Sequence, residues 1–182
     1  MHHRTLLRAV DFAARKHRDQ RRKDDAASPY INHPVAVALL LAEVGGVSDP
    51  DVLAAAILHD TLEDTDTAPA ELEAEFGARV RALVEEVTDD KRLPKPERKR
   101  LQVEHARSLS PGAAAIKLGD KIANVRDVTS SPPTGWSLER RTEYLEWAQA
   151  VVRACPPVNQ ELLDLFELVI AEGRRVLESA TE

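Results

Sequence analysis

The sequence predicts an all-α protein, and three observations support this fold class. Aromatic residues form only 4% of the 182 residues, whereas alanine and leucine are abundant. Apolar residues recur at helical spacing along the chain, and prolines and glycines separate the periodic segments. No stretch has the alternation of a convincing strand. The chain therefore predicts helices packed around a hydrophobic core.

The length and composition predict a single domain and exclude some partners. A chain of 182 residues has room for one substantial core. We expect one domain over residues 1–182, with its core in about 6–155 and a C-terminal packing helix in about 158–180. A net charge of −6 argues against a nucleic acid polymer as partner, although local basic patches could bind a smaller anion.

The composition also predicts a cytoplasmic protein without a membrane partner. The lone cysteine, Cys155, cannot form an internal disulfide. The N-terminal segment lacks the uninterrupted apolar core of a signal peptide, and no apolar run reaches the length of a membrane span.

The first helix is predicted over residues 4–18 from its apolar face, and it ends in a run of cations. A solvated helix end is the better interpretation of Arg18, because cations favour the negative end of the helix dipole. For Arg22 and Lys23, a solvated position and contact with a phosphate or base are equally supported.

A second helix is predicted from Pro34, which suits a first turn, to the glycine pair at 45–46. His33 stands at the start of this helix, where a side chain can face a cleft. Taken alone, a histidine in this position is more often a cap or a satisfied core residue than a metal ligand.

The third predicted helix begins with a capping aspartate and a proline, and it leads through an apolar run into the sequence at 59–64. That sequence sets one imidazole and three carboxylates directly after a buried element. Burying such charges is tolerable when they hold a cation. We therefore predict a metal site at His59 and Asp60, with acid–base groups one turn later at Glu63 and Asp64.

Two further helices are predicted from Thr67 to Phe76 and from Arg79 to about Thr88. Residues 91–100 form the most basic stretch of the chain, and two prolines make its first part a predicted loop. Most cations in such a run lie on a solvated face. A basic loop beside a cleft, including Lys95, would instead attract a phosphate.

A helix capped by Ser110 places Lys117, Asp120 and Asn124 on one face. This pattern could be a surface Lys–Asp pair, or a carboxylate for a metal flanked by a cation and an amide for substrate. A later helix, which begins at Ser137, carries Tyr144 as a candidate cleft residue.

Six motifs occur in order along the chain. They are Arg21-Arg22-Lys23-Asp24, Pro29-Tyr30-Ile31-Asn32-His33-Pro34, His59-Asp60-Thr61-Leu62-Glu63-Asp64-Thr65, Phe76-Gly77, Val87-Thr88-Asp89-Asp90-Lys91 and Lys117-Leu118-Gly119-Asp120-Lys121. Together they strongly resemble the hydrolase domain of the RelA/SpoT family, and more narrowly its stand-alone small alarmone hydrolases. The resemblance extends from about residue 6 to Trp147.

The resemblance implies a helical HD-type fold and hydrolysis of a nucleotide alarmone. The implied reaction removes the 3′-pyrophosphate of guanosine tetra- or pentaphosphate and yields GDP or GTP plus pyrophosphate. The implied Mn²⁺ ligands are His33, His59, Asp60 and Asp120, a donor set that would also accept Zn²⁺ or Fe²⁺. The chain has no room for a synthetase domain of the long RelA/SpoT proteins, so we expect hydrolysis without alarmone synthesis.

The resemblance also implies roles for the remaining candidates. Glu63 and Asp64 position or deprotonate the attacking water, while the bound ion stabilises charge on the phosphoryl oxygens. The implied substrate contacts are Arg22, Lys23, Lys95, Asn124 and Tyr144. Gly119 stands where the family commonly has alanine, which is expected to loosen its helix slightly without removing a ligand.

Several alternatives remain open at the level of sequence. The pocket could prefer an adenosine alarmone, or it could remove the 2′-phosphate of NADPH. A protein that binds an alarmone without turnover is a different class, which the intact set of acidic and histidine side chains argues against. An unrelated helical scaffold would require all six motifs to coincide by chance. The sequence does not determine base preference or oligomeric state.

Overall fold

The computed structural model describes residues 2–180 as ten helices, and within that range the only β-structure is an isolated antiparallel bridge between Arg21 and Pro29. The predicted all-α class is thus confirmed. The helices are α1 (His2–Lys16), α2 (Asn32–Glu43), α3 (Pro50–Leu58), α4 (Thr61–Asp64), α5 (Pro69–Phe76), α6 (Ala78–Val87), α7 (Lys95–Ala106), α8 (Pro111–Ser130), α9 (Leu138–Ala154) and α10 (Gln160–Ser179). Among these helices, none combines the length and the apolarity needed to cross a membrane.

Several helix starts follow from the capping residues in the sequence. The Asp49 carboxylate accepts a hydrogen bond from the Asp51 N–H at the start of α3. The Ser110 and Ser137 hydroxyls accept from backbone N–H groups three residues later, at the starts of α8 and α9. Each such cap contributes about 1 kcal/mol to helix stability because it satisfies an otherwise unpaired donor.

The long helix α8 is the central element of the fold. It packs against α2, α3, α6, α9 and α10, and its residues 113–123 are all buried. Helix α10 covers α8 and α9, and it buries Leu162, Phe166 and Ile170 there. Any polar side chain that projects from the middle of α8 is therefore held in a fixed position.

Helices α2 and α8 approach each other closely at Gly119. A Cβ atom built on this glycine would overlap Leu41 Cδ1 and lie 3.3 Å from Val37 Cγ1, both on α2. The main role of Gly119 is therefore in packing, in addition to the weaker helix propensity expected from sequence. The close approach brings the start of α2 beside the next residue of α8, Asp120.

Two local details differ from the sequence-based expectations. Helix α7 begins at Lys95, inside the segment predicted as a loop, because Pro96 fits the first turn of a helix. The chain also does not continue as one helix through His59. Helix α3 ends at Leu58, and His59 and Asp60 form the junction before the short helix α4.

Candidate active site

The four predicted metal ligands lie together where α2, the α3–α4 junction and α8 meet. His33 Nε2 is 3.2 Å from Asp120 Oδ1 and 3.8 Å from Asp60 Oδ2. His59 Nε2 is 3.0 Å from Asp60 Oδ2 and 3.7 Å from Asp120 Oδ1. Both histidines are buried, and the two carboxylates are nearly so. We call these four residues the acidic cluster.

The acidic cluster has the donor geometry of a divalent-cation site. His59 Nδ1 lies 2.8 Å from the Ala56 carbonyl oxygen. Since a carbonyl only accepts, Nδ1 carries a proton, and Nε2 faces the carboxylates as the atom that can hold either a second proton or a metal ion. Nε2 is buried and makes no hydrogen bond, although Asp60 lies beside it. His33, His59 and Asp60 offer ligand atoms within 4.8 Å of one another, and Asp120 adds a second carboxylate.

The charges in the acidic cluster favour a cation. Burial raises the pKa of Asp60, but His59 and His33 outweigh burial and hold this pKa below its usual range. Lys121 and the same histidines likewise hold the pKa of Asp120 well below its usual range, against the effect of burial. Burial lowers the pKa of His59, yet the two carboxylates raise it to about 10. A metal ion at this place therefore competes with a proton on His59.

Glu63, one of the two predicted catalytic carboxylates, lies in α4 at the edge of the acidic cluster. Its Oε2 accepts a hydrogen bond from the Asp89 N–H at 3.1 Å. Arg98 Nη1 is 3.9 Å from its Oε1. Burial raises the pKa of Glu63 to about 7, and the charges of neighbouring carboxylates add to this effect. A carboxylate with this pKa can accept a proton near neutral pH.

Asp64 is held from two sides. Gln20 Nε2 donates to its Oδ2 at 2.8 Å, and the Lys91 ammonium group pairs with its Oδ1. Glu63 and Asp64 both line a cavity that reaches His33, and each has its own partners.

A cavity of about 1100 Å³ opens on one side of the acidic cluster and is lined by four of the predicted substrate contacts, Arg22, Lys23, Asn124 and Tyr144. Arg22 donates to Asn124 Oδ1 at 3.0 Å and pairs with Asp127. Asn124 in turn donates to Asp120 Oδ1 at 2.5 Å. The side chain of Arg22 is thus already tied to the acidic cluster through Asn124.

A second cavity of about 710 Å³ is lined by all four residues of the acidic cluster, and it also contains Lys95 and a concentration of cations. We call these cations the basic wall; its members are Lys23, Lys95, Arg98, Lys99 and Arg140. The Arg140 guanidinium lies 4.2 Å from the Trp136 ring centre, and Lys99 Nζ lies 4.9 Å from that of Trp147. Burial and the neighbouring cations lower the pKa of Lys95. Such mutual repulsion favours binding of a polyanion.

Tyr144 lies between Trp136 and Trp147, with ring centres 5.9 Å and 5.4 Å away. Burial raises its pKa to about 12. Tyr144 lines both cavities, and in the second cavity it lies with the acidic cluster and the basic wall.

Some residues at the site were not identified by sequence reasoning. The Tyr30 hydroxyl donates to Asp60 Oδ2 at 2.7 Å, and Lys121 Nζ donates to Asp120 Oδ2 at 3.1 Å. The motifs at 29–34 and 117–121 contain these residues and were the available signal. Lys117, predicted on the face of Asp120, is instead buried and donates to the Val87 carbonyl at 2.8 Å. It therefore does not form the surface pair considered from sequence, although it lines the second cavity.

Comparison with known proteins identifies the family. Residues 9–149 match the family described as HD domain. The mouse protein named guanosine-3′,5′-bis(diphosphate) 3′-pyrophosphohydrolase MESH1 is 56% identical over 167 residues, which cover 92% of this chain and 93% of the mouse protein. This chain belongs to the MESH1 family of HD domain proteins. The human MESH1 protein is 59% identical over 157 residues, covering 86% and 88% of the two chains.

A solved structure extends the MESH1 comparison to three dimensions. It is that of a metazoan orthologue of SpoT, described as hydrolysing ppGpp and as having a role in starvation responses. It superimposes with a TM-score of 0.90 at 44% identity, over 92% of this chain and 94% of that one. The match confirms the HD-type fold and the resemblance to alarmone hydrolases. Every site residue predicted from sequence lies within the matched HD region, residues 9–149.

Proposed function

We propose that the protein is a metal-dependent hydrolase that removes the 3′-pyrophosphate of guanosine 3′,5′-bis(diphosphate) and related alarmones. The products are GDP or GTP and pyrophosphate. The observation that carries the proposal is the position of Glu63, with a pKa of about 7, beside a buried cluster of two histidines and two aspartates. The names of the mouse and human relatives support this substrate.

The proposed metal ligands are His33, His59, Asp60 and Asp120, and the proposed resident ion is Mn²⁺. Two imidazoles and two carboxylates form a mixed donor set that suits Mn²⁺ and would also accept Zn²⁺ or Fe²⁺. When bound, the ion supplies positive charge to the phosphoryl oxygens and lowers the pKa of water.

The chain's own residues carry out the proton transfer. In the proposed step, water attacks the phosphorus next to the 3′ oxygen, the bond between that phosphorus and the 3′ oxygen breaks, and pyrophosphate leaves. The water oxygen forms the new bond to that phosphorus, Glu63 accepts the proton from the water, and the 3′ oxygen takes up a proton from solvent. Asp64, held by Gln20 and Lys91, orients the water. No covalent intermediate on the protein is required.

The two cavities divide the proposed substrate between them. Arg22 and Lys23 contact the purine side, while Asn124 and Tyr144 contact the rest of the nucleoside. Lys95, Arg98, Lys99 and Arg140 of the basic wall neutralise phosphate charge in the second cavity. This arrangement accounts for a strongly basic pocket in a protein of net charge −6.

We further propose that residues 1–182 form one hydrolase domain, that this domain does not synthesise alarmones, and that it acts in the cytoplasm. Incubation of the protein with ATP and GDP tests whether it synthesises alarmones, and we expect no alarmone to form. Alarmone formation would contradict this part of the proposal alone.

The decisive experiment follows product release by metal-stripped protein, with and without added Mn²⁺. Guanosine tetraphosphate, its adenosine counterpart and NADPH are offered in parallel. We expect pyrophosphate from the guanosine alarmone only when Mn²⁺ is present, and none from the Asp60→Ala variant. Orthophosphate from NADPH alone would replace the proposal with a phosphatase, whereas tight alarmone binding without product would indicate a sensor.

A further inference from the structure

A chain of hydrogen bonds connects the end of α1 to one of the proposed catalytic carboxylates. His17 Nδ1 lies 2.7 Å from Gln20 Oε1, and Gln20 Nε2 donates to Asp64 Oδ2 at 2.8 Å. His17 is only 2% exposed. A histidine buried to this extent and linked to the site through one side chain is not explained by packing alone.

The hydrogen bonding fixes the orientation of each group in this chain. Carboxylate oxygens accept hydrogen bonds, so the amide nitrogen of Gln20 must face Asp64 and its amide oxygen must face His17. The amide oxygen also only accepts, and His17 Nδ1 must therefore carry the proton. The neutral ring then has a bare Nε2, and this atom is indeed buried without a partner.

His17 also contacts Tyr30, which hydrogen-bonds to a proposed metal ligand. Its ring lies against that of Tyr30, with centres 4.8 Å apart and planes inclined by 32°. The Tyr30 hydroxyl donates to Asp60 Oδ2 at 2.7 Å. His17 thus supports a proposed metal ligand by ring packing and a proposed catalytic residue by hydrogen bonding.

We propose that Gln20, oriented by His17, is the positioning residue for Asp64 and, through it, for the attacking water. This inference rests on the proposed hydrolase function. Gln20 and His17 do not touch the reacting atoms; they fix the direction in which the Asp64 carboxylate points. A carboxylate that can rotate freely presents its oxygen to the water for only part of the time.

The second partner of Asp64 is less able to fix it. The Lys91 side chain is 48% exposed, and ion pairs of exposed lysines contribute little because water and salt screen them. The Gln20 side chain is half-buried, and its amide nitrogen donates directly to Asp64 Oδ2. The orientation of Asp64 therefore depends mainly on Gln20.

The first test is the protonation of the His17 ring, which NMR of ¹⁵N-histidine-labelled protein measures without any substrate. At pH 8 we expect the spectrum of a neutral ring protonated at Nδ1. In the Gln20→Leu variant the His17 signals should shift, because the acceptor is lost. A ring protonated at Nε2 in the wild-type protein would overturn the role of His17.

The second test compares steady-state kinetics of four variants. Removing a residue that orients a reactive group typically costs about 10- to 100-fold in activity, and we expect a loss of kcat in that range for Gln20→Leu, with KM unchanged. His17→Phe preserves the ring against Tyr30 but removes the donor, so it should also lower kcat. His17→Asn keeps an N–H donor close to Nδ1 and should recover most of the activity. Gln160→Leu, at an exposed position on α10, is the matched control and should match the wild type.

The outcomes distinguish a positioning role of Gln20 and His17 from a purely structural role. They also distinguish failure of this inference from failure of the proposed hydrolase function. If Gln20→Leu only lowers the melting temperature and retains wild-type kcat, the positioning role is wrong. If His17→Asn is as slow as His17→Phe, the hydrogen bond from His17 has no role. If wild-type protein with Mn²⁺ hydrolyses none of the candidate nucleotides, the proposed function fails and this inference fails with it, even where the NMR result stands.

Discussion

The acidic cluster and the basic wall are adjacent, yet they are built in opposite ways. The acidic cluster is buried, its four side chains come from rigid helices or their junction, and its members contact one another. The basic wall is largely exposed, and partial burial together with the neighbouring cations lowers the pKa of Lys95 and of Lys99. The acidic cluster supplies carboxylates that favour a cation, whereas the basic wall supplies cations that favour an anion.

This difference indicates that the two regions bind different parts of the metal–substrate complex. A buried cluster with fixed donors selects an ion by geometry and charge. An exposed group of cations on aromatic rings attracts a flexible polyanion without defining its position closely. Tyr144 and Asn124 line both cavities, so a nucleotide that occupies both is expected to contact these residues.

The largest effects are expected within the acidic cluster. Asp60→Ala should abolish both Mn²⁺ binding and activity, because one ligand and one negative charge are lost. Glu63→Gln should leave Mn²⁺ bound and lower kcat by about 10²- to 10⁴-fold, the range for loss of a general base. Metal content by mass spectrometry, together with kcat, distinguishes the two. Full activity of Glu63→Gln would exclude the assigned base.

A smaller effect is expected from the basic wall. Lys95→Ala should raise KM about tenfold with little change in kcat, because it removes ground-state and transition-state attraction equally. The effect should shrink as salt is added, since exposed charges are screened. Arg153→Ala, an exposed cation at the end of α9, is the control for net charge. An equal rise in KM for both variants would show that substrate binding depends on the net charge of the protein and not on the position of Lys95.

The pH dependence of stability tests the environment of Glu63 without substrate or metal. Burial raises the pKa of Glu63 from 4.5 to about 7, so folding favours the protonated form. The resulting stability is present below pH 4.5 and is lost as pH rises through 7. At about 1.4 kcal/mol per pKa unit, ionising Glu63 at pH 8 costs about 3 kcal/mol.

The Glu63→Gln variant should therefore be more stable than the wild type at pH 8, by up to about 3 kcal/mol, and equally stable near pH 4. Urea unfolding of metal-free protein at both pH values measures the difference. A constant difference between the two pH values would mean that the pKa of Glu63 is not raised.

The smallest effect concerns the scaffold that brings the acidic cluster together. Gly119→Ala gains about 1 kcal/mol of helix propensity but crowds Leu41, and overpacking costs about 1–3 kcal/mol. We expect a net loss of stability by thermal unfolding. In a double-mutant cycle with Leu41→Val, the two changes should partly compensate because the shorter side chain makes room. Strict additivity would show that the two residues do not interfere.

The members of the acidic cluster carry local signals in the sequence. His59 and Asp60 follow a buried helix, and Asp120 interrupts another, so each polar residue stands out against apolar neighbours. The capping residues Asp49 and Ser110 likewise mark helix starts by local chemistry. Such features depend only on residues that are close in sequence, so they can be predicted without knowledge of the three-dimensional structure.

Other features depend on contacts between distant residues and could not be predicted. Gln20 meets Asp64 across 44 positions of the chain, and no nearby residue distinguishes it from a solvated glutamine. Lys117 turns away from Asp120 because a carbonyl at the end of α6 satisfies its ammonium group. Helix α7 was missed because its prolines and charges match a loop equally well.

The most direct test of this account is a crystal structure with Mn²⁺ and a non-hydrolysable guanosine alarmone, with Mn²⁺ located by anomalous scattering. We expect a single strong peak bounded by His33, His59, Asp60 and Asp120, and phosphate density against Lys95 and the rest of the basic wall. A peak elsewhere, or phosphates that avoid the basic wall, would contradict the division of the site into an ion-binding and a polyanion-binding half.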